Sequence, residues 1–272
     1  MVDVAAVGTA VRAQSRARRR LGKVRPARAL IFLTLCAVAA VMLYPFAYMV
    51  ESSFRSETEF ENATGFSLSS WRSLFDNQPI LREILNSLIV CSLAVLAIIT
   101  ISTAAGYSFA KINYRARTLA FVGVVSCMFV PVPSIIIPEY IDVSHFQLLG
   151  SYWGAAIVYT AVGLPFAVFL MTIYFRGLPD EIIEAAALDG VALRHMWWRI
   201  GVPLAKPAIF TVGILQFIQI WNDLLVALLF IQNTNDRTVT VGIALLSSGR
   251  VTSVPVLMAG SVMSVLPFDE TE

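Results

Sequence analysis

The segment Glu184-Ala-Ala-Ala-Leu-Asp-Gly190 lies between two long apolar runs, residues 152–175 and 208–231. It belongs to a polar break, residues 176–206, that carries four basic residues and is rich in helix-forming alanine. Each flanking run is long enough to cross a bilayer, so the break must face water or a partner. The arrangement indicates an integral membrane protein with a docking segment.

The composition excludes an ordinary soluble domain, since 57% of the residues are hydrophobic, 14% are charged and the mean hydropathy is +0.74. A bilayer core about 30 Å thick needs about 20 apolar residues per helix. The runs are about twice as long as a barrel strand requires, so an all-α polytopic membrane protein is predicted. Five runs are clear and a sixth is short: residues 29–50, 85–110, 119–138, 152–175, 208–231 and 251–268.

The basic residues predict the orientation, because cytoplasmic segments retain Lys and Arg. Fifteen of the twenty basic residues fall in the tail 1–28, the loop near residues 111–117 and the break 176–206. These segments are therefore expected on the cytoplasmic side of the membrane. The first run exceeds the 7 to 15 residues usual for a signal-peptide core, which favours an uncleaved span. The tail is expected to contact anionic lipid rather than nucleic acid.

The break itself predicts two short helices joined by a turn. Leu178-Pro179-Asp180-Glu181 is typical of a helix start, and Gly190 can end the helix in a left-handed conformation. A second helix is predicted over residues 192–200, ending before Pro203. Glu184 has no cation three or four residues away, so a basic group of a partner would suit it. The alternative is a solvated surface helix.

The fifth run contains four polar side chains at helical spacing: Gln216, Gln219, Asn222 and Asp223. Three- and four-residue spacings predict one shared helical face. Asp223 is expected either to bond to a neighbouring span or to line a pathway, since an ionisable residue within a span is a functional candidate. Neutral amides suit a hydroxyl-rich solute better than an ionic one.

Familiar catalytic and cofactor motifs are missing from the sequence. It has no phosphate-binding Gly-x-x-x-x-Gly-Lys loop, no Gly-x-Ser-x-Gly elbow and no His-Glu-x-x-His pair. The three cysteines lie in apolar runs, and the two histidines have no metal-ligand companions. The sequence thus predicts no catalytic residues, no metal and no bound nucleotide.

Several motifs together resemble a known family. Glu184-Ala-Ala-x-x-Asp-Gly190, followed by Pro203-Leu204 and Pro207, is similar to the "EAA" loop of permease subunits of binding-protein-dependent ABC importers. Three further stretches resemble the carbohydrate branch and its six-span maltose-type subunit: Asn86-Ser87-Leu88, Gly106-Tyr-Ser-Phe-Ala-Lys111 and Trp221-Asn222-Asp223.

The resemblance implies a division of labour. A binding protein outside the cytoplasm would deliver a sugar-like solute, and this chain with a second permease subunit would form the pathway. A cytoplasmic ATPase dimer would hold ATP and magnesium and hydrolyse the ATP. The coupling helix inserted into the ATPase would comprise Glu184, Ala185 and Ala186, with Asp189 and Gly190 forming its turn.

The last run departs from the family. The permease domain would cover residues 29–268, and the acidic residues 269–272 follow directly, where the family continues into a basic tail. A short sixth span keeps two alternatives open: an inactive or regulatory membrane subunit of such a complex and, with less support, a membrane-embedded enzyme. The identity of the solute is not encoded in any motif.

Overall fold

The computed structural model describes residues 26–62, 64–248 and 253–265, and the regular structure in these ranges is helical. This confirms the predicted all-α class. A 3₁₀ turn, Cys127–Phe129, follows the helix Arg117–Ser126, and three short turns precede the helix Lys206–Trp221: Leu193–His195, the π-helical Met196–Gly201 and Val202–Leu204. The helices are α1 (Pro26–Ser53), α2 (Glu57–Glu61), α3 (Ser69–Asn77), α4 (Ile80–Lys111), α5 (Arg117–Ser126), α6 (Val132–His145), α7 (Tyr152–Arg176), α8 (Asp180–Leu188), α9 (Lys206–Trp221), α10 (Leu225–Phe230), α11 (Val239–Ser248) and α12 (Val254–Val265).

Three helices of the described chain, α1, α4 and α7, are long and apolar enough to cross a membrane. They correspond to the predicted runs 29–50, 85–110 and 152–175. Two bent pairs raise the number of candidate spans to as many as five: α5 with its 3₁₀ turn and α6 meet at 103°, and Leu193–Leu204 meets α9 at 75°. The chain is therefore a multi-pass membrane protein, as predicted.

The third predicted span is not one continuous helix. A single helix was expected over residues 119–138, but the chain bends between Phe129 and Val132. Val130 and Pro131 adopt extended backbone angles, with ψ of 117° and 130°. Proline disfavours helical geometry in the residue before it and has no amide hydrogen to continue the helix. The prediction was wrong because the apolar run was weighed without its prolines.

The fifth predicted span, residues 208–231, is also interrupted. Helix α9 ends at Trp221 and α10 begins at Leu225. The Asp223 Oδ1 atom accepts a hydrogen bond of 2.8 Å from the backbone N–H of Val226, within the first turn of α10. An acidic side chain that satisfies a free helical N–H favours a new helix start over continuation.

Residues 232–250 lie between the fifth and sixth apolar runs, outside the predicted spans. They contain α11, a ten-residue apolar helix that is too short to meet the length criterion for a span. The short sixth run is seen as α12, whose 12 residues extend about 18 Å at 1.5 Å per residue. The predicted ends of that run, the basic tail up to residue 25 and the acidic tail 269–272 lie outside the described residues.

The core centres on α4 and α7, the most extensively packed helix pair. Their close approach depends on Gly106, where a Cβ atom would lie 2.7 Å from the Cβ of Met171. One residue later, Tyr107 makes an edge-to-face contact with Phe175 at a ring-centroid distance of 5.5 Å. Helix α9 packs on both, and α12 packs against α1 and α3. Helix α8 begins at Asp180, shortly after α7 ends at Arg176, and is therefore attached directly to this pair.

Candidate functional site

Helix α8 is the short helix predicted within the polar break, and it ends as predicted. Gly190 has a φ of 75°, the left-handed conformation that glycine adopts without penalty. The Val191 N–H donates to the Ala186 carbonyl at 3.1 Å, and the Gly190 N–H donates to the Ala187 carbonyl at 3.0 Å. These two bonds form a Schellman motif, which fixes the direction in which the chain leaves α8.

The polar face of α8 is open. Glu184 is exposed and has no hydrogen-bond or ion-pair partner within the described ranges. Ala185, Ala187 and the helix-ending Asp189 are exposed as well. Ala186, in contrast, is 8% exposed and belongs to the chain's own core, although the resemblance placed it in the part of the coupling helix that inserts into the ATPase. Only its neighbours are available for direct contact with a partner.

Exposed apolar side chains accompany Glu184. Leu188 is 90% exposed, Leu193 in the following turn is 57% exposed and Ile182 is 40% exposed. We call the exposed residues Ile182, Glu184, Leu188 and Leu193 the docking surface. Apolar groups flanking an unpaired charge are typical of a surface that a protein partner covers.

Lys111, the last residue of α4, ties α8 to the bundle. Its Nζ atom donates to the Leu178 carbonyl at 2.6 Å and forms an ion pair with Asp180. The Lys111 side chain is 3% exposed, whereas that of Asp180 is 75% exposed. The contact joins the end of α4 to the start of α8, across 67 and 69 residues of sequence. This role of Lys111 was not predicted from the sequence.

The segment after α8 is longer than predicted. A single helix over residues 192–200 was expected, but three consecutive helical turns run from Leu193 to Leu204. Pro203 lies in the first turn of the last of them, where its missing amide hydrogen costs nothing. The chain then bends at Ala205 into α9.

The second candidate site lies where α9 breaks. A cavity of about 110 Å³ is bounded there by α7, α9 and α10, and three of the four predicted polar residues line it: Gln216, Gln219 and Asp223. Gln216 is 1% exposed and Gln219 is exposed. Asp223 also accepts a 2.9 Å hydrogen bond from the Tyr159 hydroxyl of α7. Asp223 thus bonds to a neighbouring helix, which is one of the two roles expected for it, and it also lines the cavity.

Asn222 does not share this position. It follows the last residue of α9, is exposed, and its Nδ2 atom donates to the Ile218 carbonyl at 2.8 Å. It is not among the residues that line the cavity. The prediction of one helical face for all four side chains was wrong. At roughly 100° per helical residue, Asn222 is turned about 120° away from Gln216, whereas Gln219 and Asp223 are turned by about 60° or less.

The docking surface and the break after α9 lie within a segment that matches a known protein family. The model of the family described as "binding-protein-dependent transport system inner membrane component" matches residues 98–268, which include α8 and the break in α9. The chain belongs to this family. The resemblance inferred from the motifs is thereby confirmed, and the chain is a transport permease subunit.

Two relatives illustrate the similarity of this permease to characterised sequences. The osmoprotective compounds uptake permease protein GgtD of Synechocystis sp. is 34% identical over 204 residues, which are 75% of this chain and 68% of that protein. The trehalose/maltose transport system permease protein MalG of Thermococcus litoralis is 30% identical over 251 residues, 88% of this chain and 89% of that protein.

The fold of the permease is also found in a solved structure. A bacterial ABC transporter involved in the import of the acidic polysaccharide alginate contains a chain with a TM-score of 0.75 and 20% sequence identity. The match covers 90% of the permease and 94% of that chain. At this identity the likeness establishes the fold.

The permease also has a polar network at the opposite end of α4. The Asn86 Nδ2 atom donates at 3.0 Å to the carbonyls of both Asn235 and Arg237, and the Asn86 Oδ1 atom accepts from the Tyr152 hydroxyl at 2.8 Å. Next to it, the Ser87 hydroxyl oxygen accepts from the Val239 N–H. The network joins α4, α7 and the segment that leads into α11. Asn86-Ser87 was a family motif in the sequence, but its partners were not predictable from spacing.

Proposed function

We propose that the chain carries a sugar or sugar-like solute across the bacterial plasma membrane as one half of an ATP-driven importer. The observation that carries this proposal is the docking surface on α8, where Glu184 has no partner among the described residues and lies among exposed apolar side chains. Family membership supplies the class of machine, and the sugar-related names of several relatives supply the class of solute.

The proposed assembly contains four kinds of component. This chain pairs with a second permease subunit, a cytoplasmic ATPase dimer binds ATP and magnesium, and a solute-binding protein delivers the cargo from outside. A likeness in architecture supports the last partner, since one related solved structure contains an alginate pentasaccharide-bound periplasmic protein. In this arrangement the N-terminus and α8 lie on the cytoplasmic side, as the distribution of basic residues predicts.

The coupling step is a rigid-body movement. A short helix fixed at its end by the Schellman motif and at its start by Lys111 transmits displacement of the ATPase to α4 and α9. A basic group of the ATPase would pair with Glu184, and the exposed Leu188 would be buried beside it. Desolvation of such a pair makes truncation or reversal of either charge costly.

The test is a charge reversal at Glu184 in the complete importer reconstituted in liposomes. Glu184→Lys should weaken docking by about 2 kcal/mol or more, because it places like charges together at a buried contact. Solute uptake and solute-stimulated ATP hydrolysis should both fall at least tenfold, with the amount of subunit in the membrane unchanged. Asp76→Lys, an equal charge reversal at an exposed site on α3, is the control and should retain full transport.

Uptake assays with trehalose, maltose and diacetylchitobiose identify the solute class. If Glu184→Lys transports like the wild type, the docking assignment is overturned. If the wild-type complex hydrolyses ATP but takes up none of these solutes, the transport proposal for sugars is overturned and a regulatory role takes its place.

A further inference from the structure

Two adjoining cavities lie at the bend of the third span. The 110 Å³ cavity beside α9 and a second cavity of about 490 Å³ beside α6 share three lining residues, Val132, Val162 and Gln219. The larger volume lies within the range of pockets that hold small organic molecules. Its wall includes the 3₁₀ turn that precedes Pro131, so the bend itself opens the space.

Unpaired polar atoms lie in these walls. Gln216 is only 1% exposed, and its Nε2 atom has no hydrogen-bond partner among the described residues. The Oε2 atom of Glu139 on α6 is likewise buried without a described partner. A buried polar group left unpaired costs about 1–3 kcal/mol, and an ionisable one within a membrane segment is rarely retained without a purpose. Both groups can be satisfied by a ligand in the cavities.

The charges in the walls have one sign. Among the described residues that line the two cavities, Glu139 and Asp223 are acidic and none is Lys, Arg or His. Gln219 is exposed and lines both cavities. Carboxylates accept hydrogen bonds from hydroxyl and ammonium groups and repel anions, and amides can both donate and accept.

We infer that these cavities form one wall of the solute path and favour neutral or cationic hydroxylated solutes over anionic ones. Glu139 is the residue that sets this charge preference, and Gln216 and Gln219 offer hydrogen bonds to hydroxyl groups. The inference rests on the proposed transport function and adds a solute class and a residue, Glu139, to it.

The native Cys127 provides the test, because it lines the larger cavity and is exposed. Of the other two cysteines, Cys91 is buried and the exposed Cys36 can be replaced by serine. In the assembled importer in liposomes, Cys127 is labelled with cationic trimethylammonium-ethyl or anionic sulfonatoethyl methanethiosulfonate, and its modified peptide is quantified by mass spectrometry. Each reagent's rate is divided by its rate with a free thiol. After this correction the cationic reagent should react about tenfold faster than the anionic one, because a charged site accelerates encounter with ions of the opposite sign.

Glu139→Gln should bring this rate ratio close to one. Asp142→Asn, three residues further along α6, exposed and outside the larger cavity, should leave it unchanged. Equal reactivity with both reagents in the wild type, or an unchanged ratio in Glu139→Gln, would overturn the inference. Failure of both hydrophilic reagents to reach Cys127 would also overturn it, because the cavity would then face lipid.

The labelling result is independent of transport. Uptake of trehalose or maltose is measured on the same liposomes without labelling reagent. If the complex transports these sugars but shows no charge preference at Cys127, the inference is wrong and the proposed function stands. If it shows the charge preference but takes up neither sugar, the acidic cavity stands and the proposed function is wrong.

Discussion

Lys111 shows how one side chain can link the membrane bundle to the docking helix. Its ammonium group is enclosed while it bonds to the Leu178 carbonyl and the Asp180 carboxylate, so its removal would leave the carbonyl without that donor. The Asp180 partner is largely exposed, and solvent therefore weakens the ionic part of the contact. The hydrogen bond to the carbonyl is the more important contribution, since a charged donor in an enclosed site costs more to lose.

Lys111→Met should loosen α8 without unfolding the bundle. The apolar stem is preserved and the charged head is lost, at a cost of about 1–3 kcal/mol confined to the start of α8. Amide hydrogen exchange in residues 180–188 should accelerate at least fivefold, while exchange in α4 and α7 stays unchanged. Lys206→Met, at an exposed lysine with no described partner, is the control, and equal exchange in both variants would contradict the assigned role.

At the scale of elements, three helix ends decide the shape of the permease. Gly190 turns the chain back from α8, Pro131 bends the third span, and Asp223 starts α10 after the end of α9. Each works through the backbone: a left-handed residue, a missing amide hydrogen and a side chain that accepts from a free N–H. The docking surface and the cavities both lie beside such breaks, so the interruptions of the helices create the candidate sites.

Gly190→Val should disrupt the end of α8. A β-branched residue at a φ of 75° costs roughly 1–2 kcal/mol, which weakens the Schellman bonds to Ala186 and Ala187. Transport should fall severalfold, and proteolytic cleavage near residue 190 should increase. Gly123→Ala, in the middle of α5 with open space around the added methyl group, should be neutral or slightly stabilising. Wild-type transport and protease resistance in Gly190→Val would exclude a requirement for the turn.

At the scale of the whole molecule, polar contacts join helices that are distant in sequence. Asn86 connects α4 to the segment before α11, and the Trp221 indole N–H donates to the Ser264 carbonyl of α12 at 3.1 Å. In an apolar environment such bonds specify which helices lie together, because lipid competes with apolar packing but cannot replace a hydrogen-bond partner. The apolar surface of α1, exposed along most of its length, is left for lipid or another subunit.

Asn86→Leu should destabilise the assembled fold. It removes a buried side chain with three hydrogen bonds and leaves the Asn235 and Arg237 carbonyls without this donor, at a cost of about 1–3 kcal/mol. Thermal unfolding in detergent should occur several degrees lower than in the wild type. The control is Asn77→Leu, because Asn77 is exposed and bonds only within α3 among the described contacts. Equal melting temperatures for the two variants would contradict a structural role for the network.

The sequence by itself determined the class of the molecule and the ends of its docking helix. Long apolar runs require helices in a bilayer, and Pro179 and Gly190 mark the start and end of α8 through local backbone chemistry. The uninterrupted spans α1, α4 and α7 were predictable for the same reason, since their signals are contained in consecutive residues. The tertiary structure alone decided which residues meet. The Lys111 contact, the burial of Ala186 and the joining of Glu139, Gln219 and Asp223 around two cavities depend on separate helices packing together, and hydrophobic spacing along one chain carries no information about those partners.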